Sequence, residues 1–172
     1  MIGRCACSAL MLLALWAAAA GAQTQPPPTC TSSEHRQFDF WIGVWDVYNP
    51  QGQQIGVNRI DSVLSGCVLE EHWESLRSAN RGTSYNIYDR RTGRWHQSWV
   101  DNGGSLLLLN GALHDGRMVL SGATAGRDGA ETLNRITWTP VATDSVRQLW
   151  ETSSDGGGTW SVAFDGMYVK RD

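Results

Sequence analysis

The sequence predicts an all-β protein, a single up-and-down antiparallel β-barrel of about ten strands. Turn signals built on Asn, Asp and Gly recur about every 10 to 15 residues, which is the spacing of hairpins. The runs between them are rich in Trp, Tyr, Val, Ile and Thr, residues that pack well on a pleated surface. The series opens on Phe38-Asp39-Phe40-Trp41-Ile42-Gly43-Val44-Trp45. Its Gly-x-Trp step reads as the first strand of a barrel wound round a tryptophan plug. No segment of a dozen residues carries a convincing helical period. A closed barrel is preferred to a sandwich, because closure removes the edges that ten strands otherwise leave open.

Two segments precede the first strand. Arg4, the apolar residues 5–20 and the small residues Ala20-Gly21-Ala22 have the layout of an export signal cleaved after residue 22. The strongly apolar part is shorter than the roughly 20 residues a spanning helix needs, and no cysteine follows the cleavage point to take a lipid. Residues 1–22 are expected to be removed, leaving a secreted or periplasmic protein without membrane insertion. Pro26-Pro27-Pro28 cannot join a sheet ladder, so residues 23–36 read as a linker. The barrel domain is expected over residues 37–172, with one helical turn at 38–42.

The spacing then predicts strands over residues 43–49, 55–64, 67–76, 83–89, 94–100, 105–112, 117–124, 132–139, 145–152 and 159–169. Asn49-Pro50-Gln51-Gly52 ends the first, Asn80-Arg81-Gly82 the third, Arg91-Thr92-Gly93 the fourth and Asp101-Asn102-Gly103-Gly104 the fifth. Asp115-Gly116, Arg127-Asp128-Gly129 and Asp155-Gly156-Gly157-Gly158 supply three later turns. Each cluster tolerates positive φ, as tight hairpins require.

Composition excludes some functions. The 172-residue chain carries 14 basic and 17 acidic residues, a net charge of −3. The basic residues are scattered, so neither nucleic acid nor an anionic membrane surface is an expected partner. Cys5 and Cys7 lie in the export signal, leaving Cys30 and Cys67 as an even pair in a compartment that permits oxidation. A Cys30–Cys67 disulfide is expected, tying the N-terminal arm to the barrel wall. Two unrelated buried thiols are the alternative. A zinc site would need further ligands at suitable spacing, and none is evident, so no metal is expected.

Alternation sorts several strands into faces. Leu69, Glu71 and Trp73 share one side, as do Trp95, Gln97 and Trp99, then Asn134, Ile136 and Trp138, then Val146, Gln148 and Trp150. The last strand aligns Trp160, Val162 and Phe164. If these faces point inward, Trp73, Trp95, Trp99, Trp138 and Trp150 wall a lumen in which Glu71, Gln97, Asn134 and Gln148 are the polar groups. Apolar walls with sparse polar anchors suit a small hydrophobic or amphipathic ligand. The competing expectation is that the tryptophans fill the core. The same alternation turns Arg135 and Arg147 outward, toward acids on the outer wall.

Phe38-Asp39-x-x-x-Gly43-x-Trp45 resembles the opening motif of the calycin superfamily, the lipocalins, fatty-acid-binding proteins and nitrobindins. Residues 37–171 also resemble bacterial secreted domains that carry Phe-Asp-Phe-Trp-Ile-Gly-x-Trp and have no assigned activity. The resemblance implies a barrel whose tryptophan, here Trp45 after Gly43, closes the base beneath an arginine of the last strand, here Arg171 or Arg147. The ten-strand count is nearer fatty-acid-binding proteins and nitrobindins than lipocalins. Nitrobindins hold haem through a histidine. Here His72 and His96 fall opposite the tryptophan faces, and the nitrobindin glycine run is missing after Trp45, so haem is not expected.

Two further motifs need placing. Ser153-x-Asp155-x-Gly157-x-Thr159-Trp160 resembles the Asp-box of sialidase-like propellers, a hairpin device rather than a catalytic one. A single copy reads as a well-formed turn. The run Glu70-Glu71-His72-Trp73-Glu74 puts one carboxylate, Glu71, on the inner face beside tryptophan. Burial there raises a carboxyl pKa, which suits a general acid or base. No Ser-His-Asp or Cys-His set can be assembled, and no glycine loop opens a helix for phosphates. The expected function is a secreted barrel that binds without transforming. The alternatives are a small enzyme centred on Glu71, or a filled envelope protein acting through its surface.

Overall fold

The computed structural model describes residues 30–126 and 129–171. The export signal expected over residues 1–22 and the proline run lie outside these residues, as do Arg127 and Asp128 of one expected turn.

Ten antiparallel strands close into one barrel: β1 Gly43–Tyr48, β2 Gln54–Val63, β3 Val68–Ser75, β4 Arg81–Asp89, β5 Arg94–Asp101, β6 Leu106–His114, β7 Arg117–Ala125, β8 Glu131–Ala142, β9 Ser145–Ser153 and β10 Ser161–Lys170. Each pairs with its sequence neighbours, and β1 pairs with β10 from Trp45↔Lys170 to Tyr48↔Met167. The sheet therefore has no edge, as expected for a closed meander. Strand β8 runs beyond its expected end, through Pro140. The ladder shifts register between Pro140 and Ala142, and a residue without an N–H is tolerated at such an irregularity.

The inward faces of β3, β5, β8 and β9 are those that alternation predicts. β10 differs. Its register with β9 slips between Val162 and Phe164, and a bulge of one residue reverses the facing of everything before it. Phe164 packs on the core while Val162 is exposed. Trp160 lies before the strand, with the Arg135 guanidinium 4.1 Å from its ring centre.

Residues 30–36, expected as the end of the linker, carry the 3-10 turn Ser33–Arg36, and a second turn spans Asp39–Trp41. The expected disulfide joins Cys30 to Cys67, and Arg36 donates to the carbonyls of Cys30 and Gly66 on either side of it. This arm folds under the barrel. Phe38 and Trp41 are fully buried, stacked with ring centres 5.0 Å apart, and Phe38 meets the edges of Trp95 and Trp138 at 5.6 and 5.1 Å. The Trp45 indole donates to the Trp41 carbonyl at 2.9 Å. The core therefore occupies one end of the barrel. Among the described residues no helix is long and apolar enough to cross a membrane, a statement that does not extend to strands.

Candidate functional site: a tryptophan-walled cavity above a polar tier

Successive inward positions, two residues apart, stack the lumen in tiers. The lowest contains Leu69, Trp95, Trp138 and Val146, all buried in one cluster with Phe38 and Trp41 of the arm. Next along the same strands come Glu71, Gln97, Ile136 and Gln148, joined by Tyr168 from β10. Above them stand Trp73, Trp99 and Trp150, with Phe164 edge-on to Trp73 at 5.9 Å. The two upper tiers enclose a cavity of about 790 Å³, which reaches a rim of Ser75, Arg77, Ser78, Asn80, Asp101, Ser105 and Leu106. That volume is within the range of small-molecule sites.

Glu71, Gln97, Gln148, Trp73, Trp99 and Trp150 line this cavity, as the sequence predicts. Trp95 and Trp138 do not. They sit below it, in the plug made by Phe38 and Trp41, because the arm supplies rings that fill the lower barrel. Trp95 there donates to Gln37 Oε1 at 3.2 Å. Barrel closure also differs in one residue. The cation above the Trp45 ring is Lys170, its Nζ 5.7 Å from the ring centre. Arg171 faces the other way and pairs with Asp46, its Nε 2.8 Å from Oδ1. Gly43 makes room for this, since a Cβ there would lie 3.0 Å from Lys170 Cε, on a backbone with φ of +148°.

The middle tier is a hydrogen-bonded network. Glu71 is 4 % exposed. Its Oε1 accepts from Asn58 Nδ2 at 2.7 Å, and its Oε2 from Ser84 Oγ at 2.6 Å. Ser84 Oγ in turn accepts from Asn86 Nδ2 at 2.9 Å and Gln97 Nε2 at 3.3 Å. The Tyr168 hydroxyl donates to Gln148 Oε1 at 2.5 Å and accepts from Asn58 Nδ2 at 3.4 Å. Burial pushes the Glu71 carboxyl up to about 7, against the two donors that hold it down. Burial, then the neighbouring Glu71, raise the Tyr168 phenol well above its usual range. In the upper tier, Trp150 donates to Asn134 Oδ1 at 3.0 Å and Trp73 to Asn80 Oδ1 at 3.1 Å.

Sequence reasoning misses Asn58, Ser84 and Tyr168 as members of this network. Ser84 is the cross-strand partner of Glu71 itself and Asn58 that of Trp73, and the pairing register alone brings them together. Tyr168 keeps the phase of Phe164, four residues earlier, and period-two alternation carried past Phe164 finds it. None of the four histidines lines the cavity. His35 is buried beside Tyr88 under the arm, with ring centres 5.2 Å apart, and His96 bonds Asn110 and Ser98 on the outer wall. His72 lies 3.6 Å from Glu70 on that wall, and His114 is exposed at a turn. Among the described residues no three His, Cys, Asp or Glu group as a metal site. Arg135 and Arg147 pair outside the barrel with Glu151 and Asp165.

The ninth-to-tenth-strand turn is the capped hairpin its motif describes. Asp155 Oδ1 accepts from the Thr159 amide at 2.9 Å, and the Trp160 indole donates to the Gly157 carbonyl at 3.2 Å. No protein-family model matches this chain, and no curated protein does. The cavity's own chemistry must carry the functional argument.

Proposed function

We propose that this chain is an exported barrel of calycin type that binds a small hydrophobic or amphipathic molecule in the upper half of its lumen. One observation carries the reading. The barrel is packed solid at one end and hollow at the other, and the hollow end has aromatic walls over a polar tier. Filling a barrel with its own rings needs no such division. The division favours a ligand over a filled protein acting through its surface. Trp73, Trp99 and Trp150 form the walls, with Glu71, Gln97 and Gln148 as anchors. The disulfide and the signal-like N-terminus support a secreted or periplasmic location.

Native mass spectrometry of the protein purified from its own host should show an adduct that denaturation releases. Tryptophan fluorescence should shift as apolar ligands are added, and Trp99→Ala should weaken that response about tenfold or more. A barrel that carries no adduct and whose fluorescence no member of a lipid and retinoid panel moves is not a binding protein.

A second reading has its own observation. A carboxyl near neutrality at the bottom of a cavity is poised to take or give a proton. If turnover of any bound molecule is found, Glu71→Gln should abolish it and leave apolar binding nearly unchanged.

A further inference from the structure

We infer that the middle tier selects for a cationic head group, so that the preferred ligands are amphipathic amines rather than fatty acids. This rests on the binding reading above and specifies the ligand's chemistry.

Glu71 lines the floor of the cavity and offers an ionisable carboxylate to whatever enters it. The donors that touch the carboxylate are engaged, while Gln97 and Gln148 keep amide N–H groups without a partner among the described residues. Both Asn58 Nδ2 and Ser84 Oγ point at the Glu71 carboxylate, Asn86 Nδ2 and Gln97 Nε2 point at Ser84, and the Tyr168 hydroxyl points at Gln148. Acceptors remain. A carboxylate offers about four lone-pair sites, and these two donors occupy one on each oxygen. A ligand reaching the carboxylate meets its open lone pairs by donating, and an ammonium group has three N–H donors and no acceptor.

Charge points the same way. Glu71 is the acid at the floor of the cavity, Asp101 of β5 is the other acid among the lining residues and stands at the rim, and Tyr168 is the titratable group beside Glu71. Among the lining residues Arg77 alone is basic, and it stands exposed at the rim. A carboxylate ligand driven to the tier would face Glu71 with no cation to offset it, and like charges in a dry site repel strongly. An ammonium ligand would pair with Glu71 beneath the faces of Trp73, Trp99 and Trp150, which attract cations through their ring quadrupoles. Its apolar tail then fills the aromatic tier.

A matched series tests this: phenylbutylamine, phenylbutanol and phenylbutanoate, titrated by tryptophan fluorescence and calorimetry at mildly alkaline pH. The amine should bind at least about tenfold more tightly than the alcohol, and the carboxylate more weakly than both. Glu71→Gln should remove the amine's advantage over the alcohol. Arg77→Gln should leave the amine unaffected. Circular dichroism confirms that each variant is folded, and Ser84→Ala, which removes one donor to the carboxylate, provides a milder second perturbation that should lower amine affinity less than Glu71→Gln does. Equal binding of amine and alcohol, preference for the carboxylate, or an amine preference that survives Glu71→Gln each overturns the inference and leaves the binding reading standing. Failure of all three compounds to bind overturns both.

Discussion

Glu71 owes its character to its place on β3. The position is an inward one, so its carboxyl leaves water, and only Asn58 and Ser84 replace the lost solvation. The folded chain therefore holds a proton near neutrality that an unfolded carboxyl, with an ordinary value of 4.5, has already released. Between those two values folding takes up a proton, so stability falls as pH rises from about 4.5 to about 7 and is level above. A shift of this size corresponds to about 3 kcal/mol. Urea unfolding at a series of pH values should show that fall in the native protein. In Glu71→Gln the fall should be largely gone, with the variant more stable than the native chain above neutrality. A native profile flat across this window would mean that the carboxyl is solvated.

At the scale of strands, tryptophan rings and glycines are placed as pairs. A Cβ on Gly82 of β4 would lie 2.2 Å from the Trp99 ring on β5, and one on Gly56 of β2 would lie 2.1 Å from the Trp73 ring on β3. Each indole lies across a neighbouring strand at a point where no side chain stands, which keeps the lumen open. Gly82→Ala should push Trp99 into the cavity, cost about 1–3 kcal/mol of stability by overpacking, and weaken apolar ligands. Denaturant titration and ligand titration read the two effects separately. These pairs also show what was legible in the sequence. The period of two assigned the faces of β3, β5, β8 and β9 correctly, because one side of each packs on a core and has no freedom to slip. It failed on β10, where the bulge between Val162 and Phe164 changes the phase without changing composition. Lys170, over Trp45, keeps the phase of Phe164 and Tyr168, whereas Arg171, which the resemblance suggested, does not. Height within the barrel was not legible at all. Trp95 and Trp138 look like Trp99 and Trp150 in their strands, and only the folded arm, with Phe38 and Trp41 beneath them, makes the first two core and the second two wall.

For the molecule as a whole, the plug depends on one covalent tie. The bond between Cys30 and Cys67 closes a loop with a sequence separation of 37, which the chain-entropy account values at about 4 kcal/mol. Changing both residues to serine should lower denaturant stability by up to that amount. It should also increase hydrogen exchange at Phe38 and Trp41 more than at Thr124 and Thr132, paired on β7 and β8 at the cavity end. Uniform loss across the sheet would show that the tie serves the whole barrel rather than its base. Below the Glu71 window the balance turns. Asp165, held low by Arg147, and Asp155, held low by turn donors, must take up protons as acid is added, so stability declines again below about 3.8. The protein should be most stable in mildly acidic solution.

The pairing of β1 with β10 has one more effect, on biogenesis. Val44 accepts from the amide of Arg171, so the seam of the cylinder joins the first strand of the barrel to be made to the last. Until the ribosome has emitted the final ribbon, every nascent form is an open sheet with two bare margins. Such a chain cannot seal itself early, and a chaperone or translocation machinery that keeps it unfolded would be guarding those margins rather than correcting an error.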